Sequence, residues 1–184
     1  RESSLMAGLI INPLLQQREL LAGKAVFHDA SLGVVAVGGE DRLEWLHGVL
    51  SQNVKSLCAG DSVEALLLDP QGHIEYRFGV VATETELLLL VASDRAETLT
   101  AWLSRMVFRS KVTITNRSAE LAVVSSWGVN LPESVATWVD PWPEVAPGGY
   151  QYGTPSTEPW LLRQNLIPVD QLDALLSHHH TVVA

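Results

Sequence analysis

Alternation of apolar and polar positions with period two is the clearest pattern in the chain. In residues 74–80, Ile74, Tyr76, Phe78 and Val80 alternate with Glu75, Arg77 and Gly79. That is the spacing of a strand with one face in a core. The stretch before it, "SVEALLLD", is also strand-like, and "PQG" between the two is a turn, so the pair reads as a hairpin. "GVVAVGG" and "ELLLLVA" are β-branched or leucine-rich runs bounded by turn residues, and each predicts a further strand.

Between these strands the period becomes helical. Asp41, with Glu44 three residues on, predicts a capped helix start, and Leu43, Leu46, Val49, Leu50 and Val54 follow at helical spacing. "PLLQQRELLAG" predicts a short helix stopped by Gly23. Asp94 is expected to open another helix over "RAETLTAWLSRMVF", with "KVTIT" as the strand after it. The resulting order, β-α-β-β-β-α-β, is that of an α+β fold, with residues 33–115 as one antiparallel sheet and both helices on the same face.

A second copy of this pattern is suggested at an offset of 73 residues. Leu88, Leu89, Leu99, Ala101 and Leu103 meet Leu161, Leu162, Leu172, Ala174 and Leu176, "LAVVSSWG" echoes "GVVAVGG", and "PESVATWV" stands where the first helix would. This reads as a decayed internal duplication, the alternative being chance likeness of leucine-rich strand–helix joints. The proline-rich stretch between, "WVDPWPEVAPGGYQYGTPSTEP", is expected to be turns and short edge strands. The chain divides accordingly into an N-terminal segment (1–32), an α+β unit (33–118) and a second, related unit (119–184).

Composition narrows the function. Apolar residues make up 47% and charged residues 18% of the 184, enough for a sizeable core. The net charge is -9, and the basic residues are scattered, with Arg105, Arg109 and Lys111 the closest approach to a cluster. A broad nucleic-acid-binding face is therefore not expected. Cys58 is the one cysteine, which excludes an internal disulfide or a cysteine-rich metal or iron–sulfur site and suits a reducing compartment. No apolar run reaches the roughly 18 residues of a membrane span, and no signal peptide is recognisable. A cytoplasmic monomer without membrane contact is expected.

Local motifs for chemistry are few. "VAVGGED" lacks the spacing of a dinucleotide loop and reads as a strand-to-helix turn. His178, His179 and His180 are adjacent and point in different directions, so no metal site is assigned to them. His47 and His73 have no Cys or carboxylate at ligand spacing, and Cys58 has no flanking base. What remains is the polar face of the hairpin, Glu75, Arg77 and Gly79. It is either a ligand-facing surface, where the glycine permits close approach, or a solvated outer face.

Several segments, taken together, resemble the glycine-cleavage T-protein superfamily of folate-binding aminomethyltransferases. They are "VGGEDRLEWLHGVLSQNVKSLCAGDSVEALLLDPQGHIEYRF" and "LLLLVASDRAETLTAWLSRMVFRSKVTI", with "NPLLQQRELLAGKAVFHDASLGVV" similar to the family's opening. The tail "WVDPWPEVAPGGYQYG … LLRQNLIPVDQLDALL" is similar to the YgfZ-type branch. The resemblance implies a ferredoxin-like, partly duplicated fold of antiparallel sheets and helices, with tetrahydrofolate or a derivative as cofactor. It places folate contacts at Glu75, Arg77, Gly79 and Val91, on a concavity rather than in bulk solvent.

Arg77 falls where the transferase carries an aspartate. A permanently protonated guanidinium does not relay protons as a carboxylate does, so no catalytic residue is assigned. The departures suit the YgfZ-type branch, whose members bind folate and support iron–sulfur enzymes, including one that modifies tRNA. Its signature K-G-C-Y-x-G-Q-E is absent from these residues, and the chain is expected to correspond to the first half of a longer protein. The alternatives are a folate-dependent aminomethyltransferase and an interaction domain that kept only the fold.

Overall fold

The computed structural model describes residues 12–141 and 161–182. Helix α1 (Pro13–Leu21) starts where the Asn12 side chain accepts from the Leu14 and Leu15 amides and Pro13 needs no donor partner. It ends before Gly23, whose φ of 68° reverses the chain. Strands β1 (Ala25–His28) and β2 (Leu32–Gly38) follow, then α2 (Arg42–His47). The capping box expected at Asp41 is not formed. The Asp41 carboxylate accepts from the Lys111 amide at 2.7 Å, and Glu44 pairs with Lys55. The helix is shorter than the apolar spacing suggests, yet Leu46 on it and Val54 in the turns beyond it are both fully buried.

β3 (Ser62–Leu68), β4 (Ile74–Ala82) and β5 (Glu86–Ala92) form the antiparallel meander read from the alternation. A 3-10 turn (Ser93–Arg95) leads into α3 (Ala96–Met106), then β6 (Thr113–Asn116). The second half contributes β7 (Leu121–Trp127), β8 (Ala136–Val139), β9 (Leu162–Pro168), α4 (Val169–His178) and β10 (His180–Val182). The proline-rich stretch lies outside the described residues from 142 to 160.

Two five-stranded sheets result, ordered β3-β4-β5-β2-β6 and β10-β1-β7-β9-β8. The first is antiparallel throughout, and the second is antiparallel except for the β1–β10 pair. Tyr76, Phe78, Val80, Leu87, Leu89 and Val91 point to one face of the first sheet and meet Leu46 of α2 and Leu99 and Leu103 of α3. Both helices therefore share a face, as the connection lengths imply. The other face, with Val34, Ala36, Val81, Leu88 and Leu90, packs on Leu121, Val123, Trp138 and Leu166 of the second sheet. Val26, Val124 and Ile167 on the outer face of the second sheet pack with Leu175 of α4. The order of layers is helix, sheet, sheet, helix.

β1, within the 1–32 segment of the sequence division, pairs with β7 and β10 and so belongs to the second sheet. The run "KAVFHDASLGVVAVGG" contains both β1 and β2 and sends them into different sheets. A repeat is visible in the topology: β4-β5-β2 and β8-β9-β7 have the same order and sense, and a helix follows the middle strand of each. Helices α3 and α4 start in step with the sequence offset, at Ala96 and Val169. The strand ends, Ala92 and Pro168, are out of step because only the first copy has the 3-10 turn. "PESVATWV", aligned with the first helix, is instead a turn and strand β8.

Three local devices complete the first sheet. The free edge of β3 is covered by the segment after α2. The Ser51 amide donates to the Leu66 carbonyl, the Leu66 amide to Ser51 Oγ, and Gln52 Nε2 to the Glu64 carbonyl. The β3–β4 turn is organised by Asp69, whose carboxylate accepts from the Gln71 and His73 amides and pairs with His73 Nδ1, while Gly72 takes a φ of 87°. Between the sheets, Gly79 faces Trp138. A Cβ at Gly79 would lie 2.8 Å from Trp138 Cδ1, and the indole Nε1 donates to the Val63 carbonyl at 2.9 Å.

Two outcomes follow from these contacts. Gly79→Ala is expected to destabilise by about 1–3 kcal/mol through overpacking. In a Trp138→Ala background the same change should be neutral or stabilising, because a strand glycine is itself unfavourable by about 0.5–1 kcal/mol. Denaturant melts of the four proteins in this cycle measure the coupling. The His73 hydrogen bonds hold the Asp69 carboxyl below its ordinary value. Its stabilisation should be present above the unfolded carboxylate pKa of about 3.9 and vanish as pH falls through the lower folded value. Carboxyl NMR titration should show Asp69 titrating below its ordinary value in the wild type and less far below it in His73→Ala, where the imidazole bond is lost and the amide bonds remain.

Candidate functional site

In the β3–β4 pair, Glu64 lies opposite Gly79 and Leu66 opposite Arg77, so Glu64 and Arg77 are diagonal neighbours. Arg77 Nη2 donates to Glu64 Oε2 at 2.5 Å. The carboxylate is mostly buried, its side chain 17% exposed, while the arginine side chain is 64% exposed. This hydrogen bond is the main reason the Arg77 pKa lies above its ordinary value, and Asp140, just past β8, adds a smaller contribution. Arg77 and Gly79 line a cleft of about 230 Å³ between the sheets. Leu32, Leu90 and Leu162 supply apolar wall, and Asp140 and Gln164 add polar groups from the second sheet.

The four residues expected to contact a ligand divide. Arg77 and Gly79 lie on the cleft. The flat space that Gly79 leaves is taken by the Trp138 indole, so the glycine accommodates the protein's own ring. Glu75 is exposed near the start of β4, and its carbonyl accepts from Arg95 Nη1, whose guanidinium stacks 4.1 Å from the Tyr76 ring centroid. Glu75 does not line the cleft, and the partner of Arg77 is Glu64 rather than Glu75. Val91 is 2% exposed and packs under the helices, on the opposite face of the sheet from Arg77.

The residues that reading the hairpin alone misses are Glu64, Trp138, Asp140 and Gln164. Glu64 had a signal. In "SVEALLL", Val63, Ala65 and Leu67 alternate with Ser62, Glu64 and Leu66, which puts Glu64 on the polar side of β3, and a register shift between Leu67 and Leu68 then sets it against Gly79. The other three come from a sheet that no local pattern places over this one.

Chemically, the arrangement offers a fixed cation, two carboxylates and an amide at the mouth of an apolar slot. Arg77 suits an anionic group, and Glu64 and Asp140 suit N–H donors. Nothing in the set relays a proton through Arg77. Elsewhere, Cys58 is exposed, with its amide donating to Asp61, and His178 and His179 bond to the helix carbonyls of Ala174 and Leu175. Among the described residues no group of three or more His, Cys, Asp or Glu is placed to hold a metal ion, and no helix is long and apolar enough to cross a membrane. In the "VAVGGED" turn, Gly39 packs directly on the Lys111 carbonyl, where a Cβ would sit 2.0 Å away.

No family model and no curated protein matches the chain. Among solved structures it is similar to the glycine cleavage system aminomethyltransferase T from Bartonella henselae, with a TM-score of 0.62 at 15% sequence identity. The match covers 87% of this chain and 47% of that one, so the chain spans about half the length of the enzyme it resembles. The two-sheet α+β architecture is therefore similar to the fold of the matched half of that aminomethyltransferase T.

Proposed function

We propose that the chain binds a reduced folate at the Arg77–Glu64 cleft and does not itself transfer a one-carbon unit. The observation that supports this most directly is the Arg77–Glu64 pair at the mouth of the inter-sheet cleft. Arg77 stands on the strand after the Asp-Pro-Gln-Gly turn and Glu64 on the strand before it, in a fold similar to that of an aminomethyltransferase. At about 230 Å³ the cleft is smaller than the roughly 300 Å³ at the low end of ligand pockets. It suits the bicyclic head group alone. The arginine in place of the family's acid separates binding from transfer, since binding needs charge and shape while transfer needs a proton acceptor. On this reading the protein serves iron–sulfur enzymes, one of them tRNA-modifying, as the YgfZ-type resemblance implies.

A second reading, an interaction domain without folate, is favoured by one contact: Trp138 already fills the space above Gly79. Titration of tetrahydrofolate into the wild type, Arg77→Ala and Glu64→Gln separates the two. Saturable binding that weakens about tenfold or more in both variants, with unchanged thermal melting, supports the folate site, a tenfold change being about 1.4 kcal/mol. No binding supports the interaction domain, and equal affinity in all three places folate outside this cleft and overturns the proposed site. Aminomethyl transfer to tetrahydrofolate should stay at background.

A further inference from the structure

The segment between α3 and β6 carries an exposed apolar tip. Phe108 is 85% exposed and Met106 50%. Arg109 lies 5.2 Å from the Phe108 ring centroid, and Arg105 stands in the last turn of α3. Nearby Lys111 is neutralised by Glu40 at 2.6 Å. In a chain of net charge -9, two arginines beside an exposed aromatic ring mark this tip as a surface of opposite character to the rest.

A matching surface lies on the same molecule. Farther along β5 and β9 from Arg77, the seam between the sheets opens into a second cleft, about 430 Å³, floored by Leu88, Leu121, Val135 and Pro168. Its rim holds Glu86 and Glu120, bridged by Arg117 at 2.9 and 2.6 Å. One arginine between two carboxylates leaves the rim net negative. An adjoining groove, which shares Thr83 and Val135 with this cleft, adds Glu84.

We propose that the protein self-associates head to tail, the Phe108 tip of one copy seated in the Glu86–Glu120 cleft of the next, with Arg105 and Arg109 against the carboxylate rim. An aromatic anchor in an apolar pocket beside arginine is the composition of an interface hot spot, and the opposed charges set its orientation. Tip and cleft are different surfaces, so the contact is heterologous and each dimer keeps one free tip and one free cleft. Association then continues past the dimer, in contrast to the monomer expected from sequence. The contact does not involve the Arg77 cleft and is independent of folate binding.

Sedimentation velocity over a wide concentration range tests this, using Phe108→Ser to remove the tip and Val135→Arg to block the cleft. Both positions are exposed, so native melting is expected. Arg109→Glu is a second tip variant should Phe108→Ser fail to fold. The wild type should form dimers and larger species that dissociate as salt rises, and each variant should associate at least about tenfold more weakly. An equimolar mixture of a tip variant and the cleft variant should form dimers that grow no further, because only one intact tip and one intact cleft meet. A wild type monomeric at every concentration overturns the proposal. So does association untouched by Phe108→Ser, or a mixture that stays monomeric.

Discussion

The layer between the two sheets is the constraint on which the rest of the structure depends. β5 is apolar on both faces: Leu87, Leu89 and Val91 meet the helices, while Leu88 and Leu90 meet the second sheet. A sheet with no solvated face must be covered twice. The helices cover one side of the first sheet, and β7, β8 and β9 cover the other. Sheets pack closely only where side chains interlock, and at β4 this requires a glycine beneath Trp138. The indole nitrogen, carried into that layer, is satisfied by the Val63 carbonyl at the edge of the same sheet.

Charge has no place in the centre of such a layer, because a buried ion loses more in desolvation than it regains from one partner. The polar residues of the inner face accordingly lie at its margins. Arg77 and Glu64 occupy one margin and Arg117, Glu86 and Glu120 another, and both arginines bridge to carboxylates while remaining partly open to water. Such partly buried pairs lose in desolvation much of what they gain in attraction, so their presence at cleft mouths bears on recognition as well as on folding. Farther inside, polarity survives only where it is fully satisfied. Asn165 is completely buried, donating to the Val124 carbonyl and Ser126 Oγ and accepting from Thr137 Oγ1, which ties β7, β8 and β9 together.

The two halves of the chain use one topology differently. In the first copy, a 3-10 turn separates β5 from α3, and the β2–β3 connection holds a helix. In the second, β9 passes directly into α4, and the β7–β8 connection is a loop in which the Ser126 hydroxyl of β7 donates to the Val129 carbonyl and the Ser134 hydroxyl to the Leu131 carbonyl. β1 inserts between β7 and β10. The N-terminal strand thus links the opening of the chain to its last described strand, and the second sheet is incomplete without it.

Local physical chemistry in the sequence determined the strands of the first sheet, the hairpin about the Asp69–Gly72 turn and the common face of α2 and α3. Period-two and helical spacings act between residues close along the chain, and short connections leave few ways to join them. That Arg77 and Gly79 share a face was legible for the same reason, whereas the pairing of Glu64 with Gly79 depends on an irregularity between Leu67 and Leu68 that shifts the register. Only the tertiary structure decided what the face looks at. A polar strand face reads alike whether it meets water, a ligand or another sheet, and the difference here is Trp138, 59 residues beyond Gly79 in the sequence. The same holds for β1, whose partners are the distant β7 and β10, and for Asp41, which gave up its helix cap for the Lys111 amide. Partners far apart along the chain are chosen by packing and leave no spacing for a local pattern to record.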